Sequence, residues 1–205
     1  MSPWRANQHR PLSAPPAIPT AGPGQARSAD FELRPFNADQ AAEVAGWVET
    51  PADLFILAPA TPPPLTAEKV CAWTSERDTP LLLWPMRGPA PAGYAELNVM
   101  AHDPHNLWIG HFIVPRPLRG QGIGYIFIQH LMRRAFVENR AHSINLVVFP
   151  ENEIAVNCYL KCGWRKDSTH YKTFDHRPGK FKMSKMKITE RQFQRFSLTQ
   201  QRPEF

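Results

Sequence analysis

The sequence predicts one α/β domain, a mixed and mostly antiparallel central sheet flanked by helices. Apolar segments at residues 81–86, 93–100 and 107–114 are separated by connections of hairpin length, which makes an antiparallel meander. The last of them runs into a glycine-rich loop and a helix-like stretch at 125–138, and a further strand at 144–149 leads into a second helix. At 205 residues the chain suffices for one domain of ordinary size plus tails.

Taken in order, residues 1–29 hold six prolines and many Ala, Ser and Gly with no periodic apolar pattern. Such a segment cannot bury enough surface to offset its ordering entropy, so it is expected to be a disordered Pro/Ala-rich tail. Residues 31–36 read as a first strand. Asn37, with Gln40 three residues on, caps a helix whose apolar positions are Ala41, Val44, Ala45 and Val48 and which Pro51 stops. After the Pro62-Pro63-Pro64 spacer, Thr66 is the N-cap of a short helix bearing Val70 and Trp73. In the stretch 125–138, Ile126, Phe127, Leu131 and Ala135 recur at helical spacing, an ordinary core-packing face. Closing strands fall near 168–174 and 180–188. Phe181, Met183 and Met186 do not alternate cleanly, which leaves the register of the last strand open. Residues 189–205 read as a polar, basic C-terminal tail with room for one turn of helix, so the domain is expected to span 30–188.

Charge is unevenly distributed. Residues 161–205 carry 12 Lys/Arg against 4 Asp/Glu, whereas residues 1–160 carry 12 against 14. The basic character therefore belongs to the C-terminal part, either as a solvated hairpin and tail or as a surface for an acidic partner or nucleic acid. No apolar run approaches the ~20 residues of a membrane span, and no apolar secretory stretch is seen at the N-terminus. Cys71, Cys158 and Cys162 form no metal-ligand spacing; Cys158 and Cys162, four apart on one helix face, read as small buried residues. A reducing, cytoplasmic setting is expected.

The run Val114-Pro115-Arg116-Pro117-Leu118-Arg119-Gly120-Gln121-Gly122-Ile123-Gly124 joins strand to helix. Glycines at alternate positions leave backbone N–H groups uncovered, and a helix that starts there adds unpaired donors and the positive end of its dipole. Anionic phosphates suit that geometry. The run is not a Walker A loop, which needs Gly-Lys-Ser/Thr after four spacers. It also departs from the dinucleotide pattern G-x-G-x-x-G, and no acidic residue ends the strand at 144–149 to hold a ribose. A tight turn with no ligand is the alternative for a glycine run alone.

A second motif, Asn152-Glu153-Ile154-Ala155-Val156-Asn157-Cys158-Tyr159-Leu160-Lys161-Cys162-Gly163-Trp164, follows strand 144–149. Its spacing N-x-x-A-x-x-x-Y-x-x-x-G-aromatic resembles the second half of the GNAT acetyltransferase family. Arg119, Gly122 and Gly124 match the first half, [Q/R]-x-x-G-x-[G/A]. The resemblance covers roughly residues 31–188, by element order outside the two motifs.

This resemblance implies a GNAT-type sheet and acetyl-CoA as co-substrate, with no metal. The pyrophosphate is expected over the N–H groups of Gln121, Gly122, Ile123, Gly124 and Tyr125, after Gly120, with Arg119 and Arg116 adding attraction. The pantetheine arm is expected between diverging strands, paired with the backbone of Ile113 and Val114 as though it were a strand. Asn152 is expected to cap its helix and to touch the coenzyme. Tyr159 is the leading catalytic candidate. Acetyl transfer to an amine passes through a tetrahedral intermediate and expels a thiolate, and a phenol of pKa near ~10 can protonate a thiolate of pKa about 8.5.

The general base is where the chain departs from the family. Positions on the strand before the loop that often hold a carboxylate or histidine are Gly110 and Trp108 here. His111 points to the opposite face unless a bulge reverses the alternation. Glu96 and His111 are the named candidates, with His102, Asp103 or a water chain as alternatives. Glu49, Asp53 and Glu96 are acidic residues that would draw a cationic amine, and Trp47, Trp73, Trp84 and Trp108 either line an acceptor groove or pack the core and rim.

The expected function is an acetyl-CoA-dependent N-acetyltransferase acting on a small-molecule or peptide amine. The alternative is a catalytically weak CoA-binding regulatory module whose basic C-terminal segment engages an acidic partner. No membrane partner is expected; nucleic acid is not expected, although that basic segment leaves it open, and an oligomer is allowed.

Overall fold

A computed structural model describes residues 26–74 and 78–200. Along the chain run β1 (Phe31–Pro35), α1 (Ala41–Gly46), α2 (Pro51–Leu57), α3 (Ala67–Ala72), β2 (Pro80–Pro85), β3 (Gly93–Met100) and β4 (Asp103–Ile113). Then come α4 (Ile123–Arg133), β5 (Ser143–Val148), α5 (Glu153–Lys161), β6 (Arg165–Phe174), β7 (Arg177–Thr189) and α6 (Glu190–Gln200). The strands form one sheet of seven in the order β1-β2-β3-β4-β5-β7-β6. Every neighbouring pair is antiparallel except β4 and β5. The fold class read from the sequence is the one observed.

Alternation along β2 separates two apolar layers. Leu81 and Leu83 join the main core with Phe127, Leu131, Ile144 and Ile188, while Leu82 joins Val44, Val70 and Tyr94. Helices α4 and α5 thus cover one face, and α1 and α3 cover part of the other. In β7 the imperfect alternation has a physical reason: Met183 packs with Phe55 and Phe149 on one side, whereas Met186 and Ile188 belong to the main core on the other. Both faces are covered, by different elements.

Three expectations are corrected. Pro51 does not merely stop α1, which ends at Gly46; it opens α2, where Thr50 Oγ1 accepts from Asp53 N at 3.1 Å. Proline suits this first helical position because its missing N–H would be unpaired there anyway. Residues 190–200 are not a polar tail but the helix α6, whose Phe193 stacks on Phe136 at 4.9 Å. A capping box starts it, with Thr189 N and Oγ1 donating to Gln192 Oε1 at 2.7 and 2.9 Å. Of the expected disordered segment, residues 1–25 lie outside the described residues, but Ser28–Asp30 form a 3-10 turn against α4, with His130 Nε2 3.0 Å from the Ser28 carbonyl. Asn37 and Thr66 do cap as expected: Asn37 N donates to Gln40 Oε1 at 2.8 Å, and Lys69 N donates to Thr66 Oγ1 at 3.4 Å.

Candidate active site

The parallel pairing of β4 with β5 is brief. Asn106, Leu107 and Trp108 oppose Ser143, Ile144 and Asn145, and then the strands part while β4 continues to Ile113 and β5 to Val148. The gap opens a cleft of about 2460 Å³ lined by Gly110, Val114, Leu146 and Val148 and by residues 119–126. Because Trp108 and Gly110 line it together with Ile109 and Leu146 of the main core, the cleft reaches both faces of the sheet.

The glycine loop forms one wall. Gly120 and Gly122 have φ of 77° and 82°, the left-handed region that glycine adopts without strain. A Cβ at either would meet nothing within 4 Å, so the peptide faces there are open. Gly122 caps α4, Ile126 N reaches its carbonyl at 3.1 Å, and the N–H groups of Ile123, Gly124 and Tyr125 precede the first intrahelical bond. This is a concave set of donors at the positive end of an 11-residue helix, and its open surface fits a coenzyme diphosphate.

Other residues expected at the coenzyme are held differently. Arg119 is engaged within the protein: its Nε donates to the Val114 carbonyl at 2.9 Å, and Nη1 and Nη2 donate to the Asp53 carboxylate at 3.0 and 3.3 Å. It therefore braces the loop to β4 and α2, and it takes part of the Val114 backbone expected to pair with pantetheine. Arg116 meets Glu49 at 3.5 Å. Glu49 and Asp53, expected to draw a cationic amine, thus already have cationic partners. Gln121 Nε2 donates to the Pro117 carbonyl at 2.7 Å, and Ile113 pairs with Tyr94 across β3. Asn152 Oδ1 accepts from Ala155 N at 3.3 Å as a cap, and the residue also lines the cleft.

Tyr159 lines the cleft from α5 and is 5% exposed. Its ring packs against Phe112 and Trp164, and its hydroxyl makes no hydrogen bond among the described residues. Burial pushes its pKa above the ordinary tyrosine value, and the Cys158 and Cys162 thiols push it further, so the phenol stays protonated across the neutral range. Cys162 is buried as expected, whereas Cys158 is only half-buried and lines the cleft.

The opposite wall supplies what Gly110 lacks. Glu96 on β3 is the direct partner of Gly110 and is 1% exposed. Between the Tyr94–Ile113 and Glu96–Gly110 pairs, β4 carries one extra residue, a bulge in which His111 takes φ of 39°. The bulge reverses the alternation, and His111 Nδ1 comes 2.8 Å from Glu96 Oε1. Tyr94 Oη donates to the same oxygen at 2.9 Å and Asn98 Nδ2 to Oε2 at 3.4 Å. Trp73 stacks on the imidazole at 4.1 Å with the planes 10° apart. Glu96, His111, Trp73, Trp108 and Tyr159 all line the one cleft.

His102 and Asp103 stand at the exposed β3–β4 turn, Asp103 Oδ1 accepting from His105 N at 3.0 Å, and neither lines the cleft. Of the tryptophans, Trp73 and Trp108 line it; Trp47 packs with α1 and α3, and Trp84 donates Nε1 to the Gly88 carbonyl at 3.1 Å under Arg34. Trp73 as a stacking partner and Asp53 as the anchor of Arg119 carry no sequence signal, since both contacts join residues far apart in the chain. Among the described residues no group of His, Cys, Asp and Glu could hold a metal ion, and no helix is long and apolar enough to cross a membrane.

A split sheet with a helix-capping amide nest on one side and protonatable groups on the other defines a coenzyme-dependent acyltransferase. Residues 36–164 match the Acetyltransferase (GNAT) family, and the chain belongs to that family. Acetyl-CoA fits as its co-substrate. A search of curated proteins finds no match. Among solved structures, the spermidine N-acetyltransferase from Vibrio cholerae in complex with CoA and spermine superposes with a TM-score of 0.68 at 15% identity, covering 81% of this chain and 99% of that one. Aminoglycoside acetyltransferase AAC(6')-Ib in complex with coenzyme A gives 0.64 at 21% identity, covering 80% and 98%. Its complex with ribostamycin and coenzyme A gives 0.66 at 20%, covering 81% and 97%. At these identities the likeness is one of fold.

Proposed function

We propose that the protein moves an acetyl group from the thioester of acetyl-CoA directly to a primary amine of a small molecule or peptide. The observation that carries this is the shared cleft: the glycine loop, Tyr159 and the Glu96–His111 pair all line it. The N–H groups of Ile123, Gly124 and Tyr125 bind the diphosphate, and Asn152 and the freed edge of β4 orient the arm. Bound there, acetyl-CoA supplies an activated acyl carbon and a thiolate leaving group. Tyr159, held protonated by burial, donates to the departing sulfur. The amine enters from the face of Trp73 and Trp108, where its proton must be removed.

Similarity in fold to enzymes named for spermidine and aminoglycosides supports a small amine acceptor. A regulatory module without a base is the weaker reading, because the vacancy at Gly110 that favoured it is filled by Glu96. The test is thiol release from acetyl-CoA with a panel of polyamines, aminoglycosides, amino acids and peptides. Amine-dependent release and a melting temperature raised by coenzyme A are expected; release no faster than without amine, together with an unmoved melting temperature, would overturn the reading.

A further inference from the structure

We infer that Nε2 of His111 is the atom that takes the proton from the acceptor ammonium, and that Glu96, Tyr94 and Trp73 are positioning residues that hold it ready. The inference rests on the acetyltransferase reading and assigns its base. A histidine at a β-bulge with φ of 39° is an unusual conformation for a non-glycine residue, and here it turns the ring into the cleft. The buried carboxylate of Glu96 accepts from Nδ1 at 2.8 Å, which fixes the neutral tautomer with its lone pair on Nε2. That nitrogen has no hydrogen-bond partner among the described residues.

The positioning is over-determined. Glu96 is itself fixed by Tyr94 Oη at 2.9 Å, and the raised pKa of Tyr94, caused first by burial and then by the Glu96 charge, keeps that hydroxyl a donor. Trp73 covers one face of the imidazole, and Trp73 Nε1 is anchored on Thr61 Oγ1 at 2.9 Å. Glu96 does not act alone: it is 1% exposed and its oxygens are taken up by His111, Tyr94 and Asn98, whereas the His111 side chain is 24% exposed. Among the described residues, the titratable groups linked to the ring are Glu96, which meets it directly, and Tyr94, which meets Glu96, with Cys71 on α3 and Asp78 before β2 acting on Tyr94.

Proton balance follows. Of the three ammonium protons, one passes through His111 Nε2 to solvent and one stays on the amide nitrogen. The third ends on the sulfur by way of Tyr159, as the nitrogen–carbon bond forms and the carbon–sulfur bond breaks.

The experiment pairs kinetics with NMR on the full chain. With acetyl-CoA and whichever of spermidine, kanamycin or a short peptide turns over, His111→Gln should lower kcat about 100-fold with little change in acetyl-CoA KM. It should also abolish the fall of kcat/KM at acidic pH. Trp73→Phe, which keeps an aromatic face, should lower kcat several-fold and leave that limb in place. In the wild-type protein, nitrogen-15 spectra of the neutral His111 ring should show a protonated Nδ1 and a bare Nε2, and Glu96→Gln should shift the Nδ1 proton upfield. Retention of both rate and acidic limb in His111→Gln, or a proton on Nε2 of the neutral ring, would overturn the assignment while leaving acetyl transfer intact. Loss of turnover in the wild type would instead count against the underlying reading, and the NMR result would still decide the tautomer.

Discussion

Gly110 and Glu96 face each other across β3 and β4, and the Glu96 carboxylate fills the space that a side chain at Gly110 would need: a Cβ built there would lie 2.7 Å from Oε2. The missing side chain at Gly110 therefore leaves room for the carboxylate that holds His111 Nδ1.

Substituting Gly110→Ala should displace the carboxylate and loosen His111. Overpacking of this kind costs about 1–3 kcal/mol, and catalysis should fall further than stability. Thermal melts read beside kcat check this; full activity in a folded Gly110→Ala protein would contradict the fit.

The two glycines of the loop should differ sharply. Gly122 sits at φ of 82°, so Gly122→Ala should cost about 1–2 kcal/mol and raise the acetyl-CoA KM about tenfold or more by covering the open amide. At Gly124 an added Cβ would meet Cys158, Phe112 and Val114 atoms only at 3.8–3.9 Å, so Gly124→Ala should be tolerated. Steady-state kinetics on the pair distinguish a coenzyme cradle from a mere turn.

Tyr159→Phe should lower kcat about 100-fold or more while leaving the melting temperature nearly unchanged, because the hydroxyl has no hydrogen-bond partner among the described residues whose loss would be felt. A drop in stability with intact kcat would mark the tyrosine as packing alone.

Stability should depend on pH through His130. Burial first, then Arg133, lowers its pKa below the ordinary 6.5, while the Ser28 carbonyl partly opposes this. The folded state then binds fewer protons than the unfolded one, so its stabilisation is present above about pH 6.5 and is lost as pH falls through the lower folded value. Melting temperatures between about pH 5 and 7 should have a shallower slope in His130→Gln; an unchanged slope would exclude the histidine as the cause.

Arg119 and Asp53 should behave as one unit. Each single substitution, Arg119→Gln or Asp53→Asn, should loosen α2 against the loop, and the double variant should cost less than the sum by up to about 1 kcal/mol. Strict additivity in denaturant unfolding would show the brace to be idle.

What the sequence made legible was local. The glycine spacing at 120–124 and the Asn152-to-Trp164 motif carry their geometry within a turn or two, so the open loop, the Asn152 cap and the helix that bears Tyr159 could be read directly. The Thr189-Glu190-Arg191-Gln192 capping box was equally local, yet the polar, basic composition around it hid α6. The remainder depends on contacts between distant residues. Nothing near His111 announces a bulge, since the extra residue exists only relative to β3. That Arg119 also braces the loop is invisible until Asp53, 66 residues away, is brought beside it. Pro51 reads as a stop because a helix-ending and a helix-opening proline look alike when the preceding helix is short.

The central claim is that amides at the opening of α4 hold the coenzyme diphosphate, and titrating nitrogen-15-labelled protein with coenzyme A tests it most directly. The largest saturable shifts should fall on the amides of Gly122, Ile123, Gly124 and Tyr125 and be diminished in Gly122→Ala. If those amides stay in place while coenzyme A perturbs a different surface, or nothing at all, the account is contradicted.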